Sequence, residues 1–253
     1  MIAASFFGVG PDSRSADREY YTKEPLEISI TCSRGFAPDF VGQVGIRYRT
    51  VRNYNFSAGS RLRSLRPNLN SSRATEYSLF AVIRLDTRNS FINATEGEVA
   101  QLEWERAPWV KGGSALFARV RGVGQLYRHI VGALVLAARL DYSVVSGSDI
   151  PVQIMIPVGG GSTLRGSPQD RFLGKVGAVA NVEVRFPLVW RFGGIVGGDA
   201  GRVWDRPGAV GIAGWDANTV AGVRFFMNTF IVRLDVGFGR ESTGLYLNFG
   251  HIF

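Results

Sequence analysis

Apolar and polar residues alternate along most of the chain, the period-2 signature of strands with two unlike faces. Leu26, Ile28 and Ile30 share one face and Glu27, Ser29 and Thr31 the other; Val44, Ile46 and Tyr48 oppose Gln43, Arg47 and Arg49. The split recurs with Leu102 and Trp104 against Gln101, Glu103 and Glu105, and with Leu140 and Tyr142 against Arg139 and Asp141. It returns with Val182 and Val184 against Glu183 and Arg185, and with Leu234 and Val236 against Arg233 and Asp235. The pattern predicts about twelve strands, at residues 1–8, 20–33, 40–55, 74–87, 97–106, 114–126, 129–143, 174–186, 190–204, 218–227, 230–240 and 243–253. Short links at 34–39, 87–96, 127–128, 187–189 and 228–229 alternate with longer polar ones at 9–19, 57–73, 107–113, 144–173 and 205–216.

The polar faces repeatedly carry full charges, and that separates two architectures. A soluble sandwich or lipocalin points its apolar face inward, whereas a membrane barrel turns it to lipid and lines a wet lumen with polar groups. Segments of roughly 9–11 residues or more suit a tilted bilayer crossing. An even strand number, with short turns on one side and long loops on the other, fits an outer-membrane barrel. The expected fold is all-β: one antiparallel transmembrane β-barrel domain over residues 1–253, its longest loop folded inward.

Composition narrows the function. Hydrophobic residues are 45% and charged residues 20%, with no apolar run near the roughly 18 residues of a spanning helix. The formal charge is +8, and of 29 basic residues only Lys23, Lys111 and Lys175 are lysines. The arginines are spread singly through strand segments and form no aromatic-interleaved patch, so nucleic acid is not an expected partner. Cys32 stands alone and His129 and His251 lie far apart, leaving no disulfide and no metal-ligand spacing. A nucleophile elbow and a phosphate loop are also missing, so neither an enzyme nor a cofactor is expected. The opening Met1–Phe7 lacks the basic flank and length of a signal peptide.

The longest loop holds Gly159-Gly160-Gly161-Ser162-Thr163-Leu164-Arg165-Gly166-Ser167. It resembles the Leu/Val-Arg-Gly-aromatic loop of the BamA/TamA outer-membrane assembly-factor superfamily, the bacterial surface antigen family. Asp86-Thr87-Arg88 resembles that family's periplasmic turn, and Asn181 to Pro187 the strand after its long loop. Gly197-Gly198-Asp199-Ala200-Gly201 fits its Gly-x-Asp-x-Gly strand, while Arg233-Leu234-Asp235 and the terminal Phe253 fit its last two strands. Ser167 departs from the usual aromatic, and the proline usual after the turn is absent. The resemblance covers the whole chain and implies the last twelve of a sixteen-strand barrel, an N-terminally truncated relative without periplasmic repeats. Closure would then need the first strand to meet the last, since unpaired edges in lipid are costly.

By the same resemblance, Arg165 with Gly166 forms a lumenal lock on Glu183 and Asp199, flanked by the strand glycines Gly197 and Gly201. A planar guanidinium fork suits two carboxylates. Leu245, Leu247, Phe249 and Phe253, at period 2, read as a C-terminal sorting signal on a lipid-facing strand, with His251 on the same face at the membrane interface. Arg61, Arg63, Arg66 and Arg73 are candidate contacts for lipopolysaccharide phosphates, beside the solvated-loop alternative. Trp104, Trp109, Trp190 and Trp204 are candidates for interfacial girdles. The implied function is insertion of outer-membrane proteins or translocation of polypeptide, in contact with outer-membrane lipid. A passive pore, a structural barrel and a soluble lipid-binding barrel are the alternatives.

Overall fold

The computed structural model describes residues 2–65, 72–111, 116–147 and 150–253, with the side chains of 109–111 set aside. The strands are β1 (Ile2–Phe6), β2 (Glu19–Ala37), β3 (Phe40–Tyr54), β4 (Arg73–Asp86), β5 (Gly97–Lys111), β6 (Phe117–Val131) and β7 (Leu134–Ser146). They continue as β8 (Ile156–Val158), β9 (Phe172–Gly174), β10 (Val176–Pro187), β11 (Phe192–Trp204), β12 (Asp216–Phe226), β13 (Ile231–Phe238) and β14 (Thr243–Phe249). Twelve of them form one antiparallel sheet in chain order, and β8 and β9 pair separately within the long loop. The expected twelve strands are all present. No described helix is long and apolar enough to cross a membrane.

The faces are inverted relative to a water-soluble protein. Leu26, Ile28, Ile30, Val44, Ile46, Leu79, Ile83 and Leu102 are exposed on the outside, while Glu76, Glu105, Asp141, Glu183, Asp199 and Asp235 are buried inside. Carboxylates are almost never buried unless paired. Here the cross-strand neighbours supply arginines: Arg47 to Glu105 at 2.9 Å, Arg49 to Glu76 at 2.5 Å, Arg119 to Glu105 at 2.8 Å and Arg121 to Asp141 at 2.7 Å. This lumenal ladder accounts for the arginine excess, because planar forks bridge carboxylates of neighbouring strands.

One turn lies elsewhere than the alternation predicts. The β6–β7 hairpin turns at Gly132–Ala133, with Gly132 at φ +55°, instead of at 127–128. Glycine takes that backbone region without a Cβ penalty, whereas Tyr127 is a fully buried lumenal ring. A second unexpected feature is a small conventional core inside the long-loop end of the sheet. Phe6, Leu62 from α1 (Arg61–Ser64), Phe117, Ile150, Ile154 and Leu173 pack together there and plug the upper lumen.

β1 and β14 are the two edges of the sheet, and no ladder joins them among the described residues. Strand length falls from 19 residues in β2 and 15 in β3 to 8 in β13 and 7 in β14. At about 3.4 Å per residue and a tilt of about 40°, β14 spans about 18 Å of bilayer normal, well under the roughly 30 Å of hydrocarbon.

Candidate functional site

The β7–β10 connection descends into the lumen. Gly159 and Gly160, at φ +129° and +91°, turn the chain back on itself. The Thr163 hydroxyl ties the bend by accepting from Gly159 N and donating to Gly159 O, both at 2.9 Å. Leu164 is fully buried against Val158, Phe172, Val179 and Val203, which sets the loop tip on the β10–β11 wall.

Arg165 follows directly and is fully buried. Its Nε and Nη2 donate to Asp199 Oδ2 and Oδ1 at 2.9 and 2.8 Å, a two-pronged pairing, and its backbone N donates to Asp199 Oδ2 at 3.0 Å. Nη1 donates to Glu183 Oε1 at 2.6 Å and to Asp235 Oδ2 at 3.2 Å. Asp199 in turn accepts from Asn181 Nδ2 at 2.7 Å. Arg165, Glu183 and Asp199 therefore meet in one cluster, and Asp235 of β13 is a third carboxylate that resemblance did not assign. Alternation already put Asp235 on the polar face; only the closeness of β13 across the lumen was hidden.

Backbone-to-backbone packing explains the glycines. A Cβ on Gly166 would lie 2.5 Å from Gly239 N, one on Gly237 2.4 Å from the Arg165 carbonyl carbon, and one on Gly244 2.3 Å from Arg165 O. The loop tip thus sits in a glycine cradle on the β13–β14 hairpin. At Gly197 a Cβ would meet Val182 O at 2.1 Å, and at Gly201 it would meet Val158 Cγ1 of β8 at 2.9 Å. The ring against the loop's glycines is Tyr246 of β14, whose hydroxyl donates to Ser167 O at 3.2 Å; it supplies in space the aromatic that position 167 lacks.

A second arginine ties the loop across the mouth. Arg171 Nε and Nη2 donate to Glu241 Oε2 and Oε1 at 2.6 and 3.0 Å in the β13–β14 turn. Its Nη1 and Nη2 donate to Ser13 Oγ and Ser13 O at 2.9 and 2.7 Å in the β1–β2 connection. Gly10 N adds a bond to Leu173 O at 2.7 Å. The loop therefore grips both flanks of the gap between β1 and β14.

An inward loop locked by a buried arginine, inside a sheet lipophilic on its outer face, is accompanied by a match of the Omp85 superfamily domain to residues 3–253. The chain belongs to the Omp85 superfamily. Members are transporters and assembly factors and not enzymes. Solved structures show the same fold: BamA from Haemophilus ducreyi lacking POTRA domains 1–3 aligns with TM-score 0.66 at 13% identity, over 95% of this chain and 55% of that one. CdiB from Escherichia coli aligns with TM-score 0.59 at 14% identity, over 97% and 46%, and CdiB from Acinetobacter baumannii with 0.57 at 14%, over 95% and 43%. The chain spans about half the length of these structures. No curated protein matches by sequence.

In this Omp85 barrel the Asp86-Thr87-Arg88 turn closes on itself. Arg88 Nε and Nη2 donate to Asp86 Oδ1 and Oδ2, both at 2.8 Å, and Thr87 Oγ1 accepts from Glu98 N at 3.0 Å. The C-terminal residues divide. Leu245, Leu247 and Phe249 are 69%, 71% and 76% exposed on the outer face. The strand then ends, Gly250 takes φ +77°, and the chain turns inward. Phe253 consequently packs on Tyr127, Ala94 and Ala137, with the Arg185 guanidinium 5.2 Å from its ring, instead of continuing the lipid face. His251 is likewise not interfacial: its Nε2 pairs with Asn93 Oδ1 at 3.1 Å beneath the lumen.

Arg61 is engaged by Asp17 at 2.9 Å and Glu19 at 3.3 Å, which fasten α1 to the start of β2. Arg63 lies in α1 and Arg73 begins β4; Arg66 falls outside the described residues. Among the tryptophans, Trp190 clusters with Phe192 and Phe225 at one rim, Trp104 lies mid-strand, and the Trp109 side chain is outside the described set. Trp204 is buried against Trp215 and faces no lipid. Strand-end position alone does not say which face a ring takes, so Trp204 forms no part of an outer girdle.

Proposed function

We propose that the chain is an integral outer-membrane barrel of a Gram-negative cell, part of an assembly or translocation factor that inserts outer-membrane proteins or passes polypeptide across the membrane. The carrying observation is the gap between β1 and β14, flanked by short strands and bridged by a loop that Arg165 and Arg171 hold. Free strand edges template an incoming strand by β-augmentation, and short flanking strands thin the adjacent bilayer. The outer residues Leu245, Leu247 and Phe249, followed by Phe253, serve as the sorting signal, and the arginines of the α1 loop meet lipopolysaccharide phosphates. The arrangement calls for no cofactor.

A passive pore is the second reading, favoured by a lumenal cavity of about 770 Å³ lined by Lys23, Arg49, Arg119, Arg121 and Arg139. The apolar plug at the mouth opposes it. The test uses protein in liposomes with Cys32→Ser and a cysteine pair bridging β1 to β14. The uncrosslinked protein should accelerate folding of a urea-unfolded barrel protein into the vesicles, and the crosslinked form should not. Equal folding rates with and without the protein, together with a steady ion conductance, overturn the assembly reading.

A further inference from the structure

Below the Arg165 cluster lies a layer of positive charge that the lock does not use up. Arg185 on β10, Arg224 on β12 and Arg233 on β13 are all buried, and Arg224 and Arg233 are direct cross-strand partners. Like charges directly opposite on one face are destabilising unless something intervenes. The three are chained through shared carboxylates. Arg185 Nε donates to Glu183 Oε2 at 3.0 Å, and Arg224 Nη2 approaches Glu183 Oε1 at 3.6 Å. Arg224 also pairs closely with Asp235, which Arg233 reaches at 3.4 Å.

Together with Arg165, four guanidiniums share three side-chain carboxylates, Glu183, Asp199 and Asp235, while Arg185 Nη2 also donates to Phe253 O at 3.2 Å and Arg233 Nη2 to Gly161 O at 3.0 Å. Among the described residues, several buried nitrogens here have no hydrogen-bond partner: Arg185 Nη1, Arg224 Nε, Arg233 Nε and His251 Nδ1, with Arg224 Nη2 no nearer to a carboxylate than the 3.6 Å to Glu183. His251 stands two residues before Phe253, whose O accepts from Arg185 Nη2 at 3.2 Å, and burial first, then the Arg185 charge, hold its ring well below its ordinary pKa against the opposing charge of Glu183. A buried donor without a partner costs free energy, so a native structure that keeps several in one place calls for a ligand.

We propose that Arg185, Arg224 and Arg233, with His251 beneath, form a binding site for a small free oxyanion of the phosphate or sulfate type in the lower lumen. The chemistry follows from the donors. Planar guanidinium forks pair with the several oxygens of a tetrahedral oxyanion better than with a spherical halide. One such anion accepts from the unused donors, which Asp235 and Glu183 leave unpaired. It thereby stiffens the floor on which the Arg165 lock rests, whatever the barrel moves.

The experiment is a titration of the folded full chain, in a non-ionic detergent free of phospholipid, with inorganic phosphate at constant ionic strength. Sodium chloride is the control, and calorimetry and thermal unfolding are the readouts. A saturable heat and a rising Tm are expected with phosphate and sulfate but not with chloride, because a ligand bound only to the native state stabilises it by mass action. Arg233→Gln, which removes the unused Nε together with the Nη contacts to Asp235 and Gly161 O, should bind at least about tenfold more weakly. Three results overturn the proposal: no saturable phosphate effect on the wild-type chain, equal affinity in Arg233→Gln, or binding that appears only when an anionic phospholipid is added. The first of these needs no variant to fold.

Discussion

Replacing Arg165 by methionine keeps an unbranched apolar stem and removes the guanidinium with its charge. Three carboxylates, Glu183, Asp199 and Asp235, then lose the guanidinium that donates to them at 2.6–3.2 Å. Removing one partner of a buried ion pair costs about 3–5 kcal/mol. The neighbours Arg185, Arg224 and Arg233 keep Glu183 and Asp235 partly compensated, so the loss falls chiefly on Asp199, whose remaining side-chain partner among the described residues is Asn181. About 3 kcal/mol is therefore the expected loss in docking of the loop tip, a change of about a hundredfold in its opening equilibrium. Lysine at 165 retains a charge but not the fork on Asp199, and should recover only part of this. Hydrogen-exchange mass spectrometry on a peptide covering residues 159–171 measures the change directly, because the Arg165 amide itself donates to Asp199. Exchange of that peptide at the wild-type rate in Arg165→Met would refute the reading, since the loop would then be held by its other contacts alone.

Three further outcomes follow from the same geometry. Gly237→Ala places a methyl 2.4 Å from the Arg165 carbonyl carbon and should undock the loop with every charge intact, seen as the same faster exchange over 159–171. The Arg171 hydrogen bonds hold the Glu241 carboxyl below its ordinary range. The tie therefore stabilises above the unfolded carboxylate pKa near about 4.3 and is lost as pH falls through the lower folded value. Protection of the 159–171 peptide against hydrogen exchange, corrected for the intrinsic rate at each pH, should fall in the wild-type chain as the pH drops below about 4, and be low throughout in Glu241→Gln; a parallel pH dependence in the two proteins would refute the tie. Leu247→Arg on the outer face should lower stability in a bilayer by about 2–4 kcal/mol if it reaches mid-membrane, measured by urea unfolding in liposomes. A neutral or stabilising effect would mean that this face meets water.

The alternation of side chains determined most of the fold, because a two-residue period with charges on one face and aliphatics on the other is compatible with few environments. Strand number, pairing of successive strands and the lipid-facing residues such as Ile28, Ile46 and Leu247 follow from that period alone. Local sequence also placed Arg165 on a flexible glycine loop and Glu183 on the lumenal face. The contacts between segments far apart in the chain were decided only in three dimensions. Asp235 lies 70 residues from Arg165 and Glu241 lies 70 residues from Arg171, and no local period reports a distance across a lumen. The cradle of Gly166, Gly237, Gly239 and Gly244 is invisible for the same reason, since a glycine in a strand records a close approach without saying what approaches. The C-terminus shows the limit most plainly: alternation carried Phe253 onward with Leu245, Leu247 and Phe249, but Gly250 released the chain from the strand. Burying the Phe253 ring against Tyr127 and Arg185 then outweighed continuing the outer face.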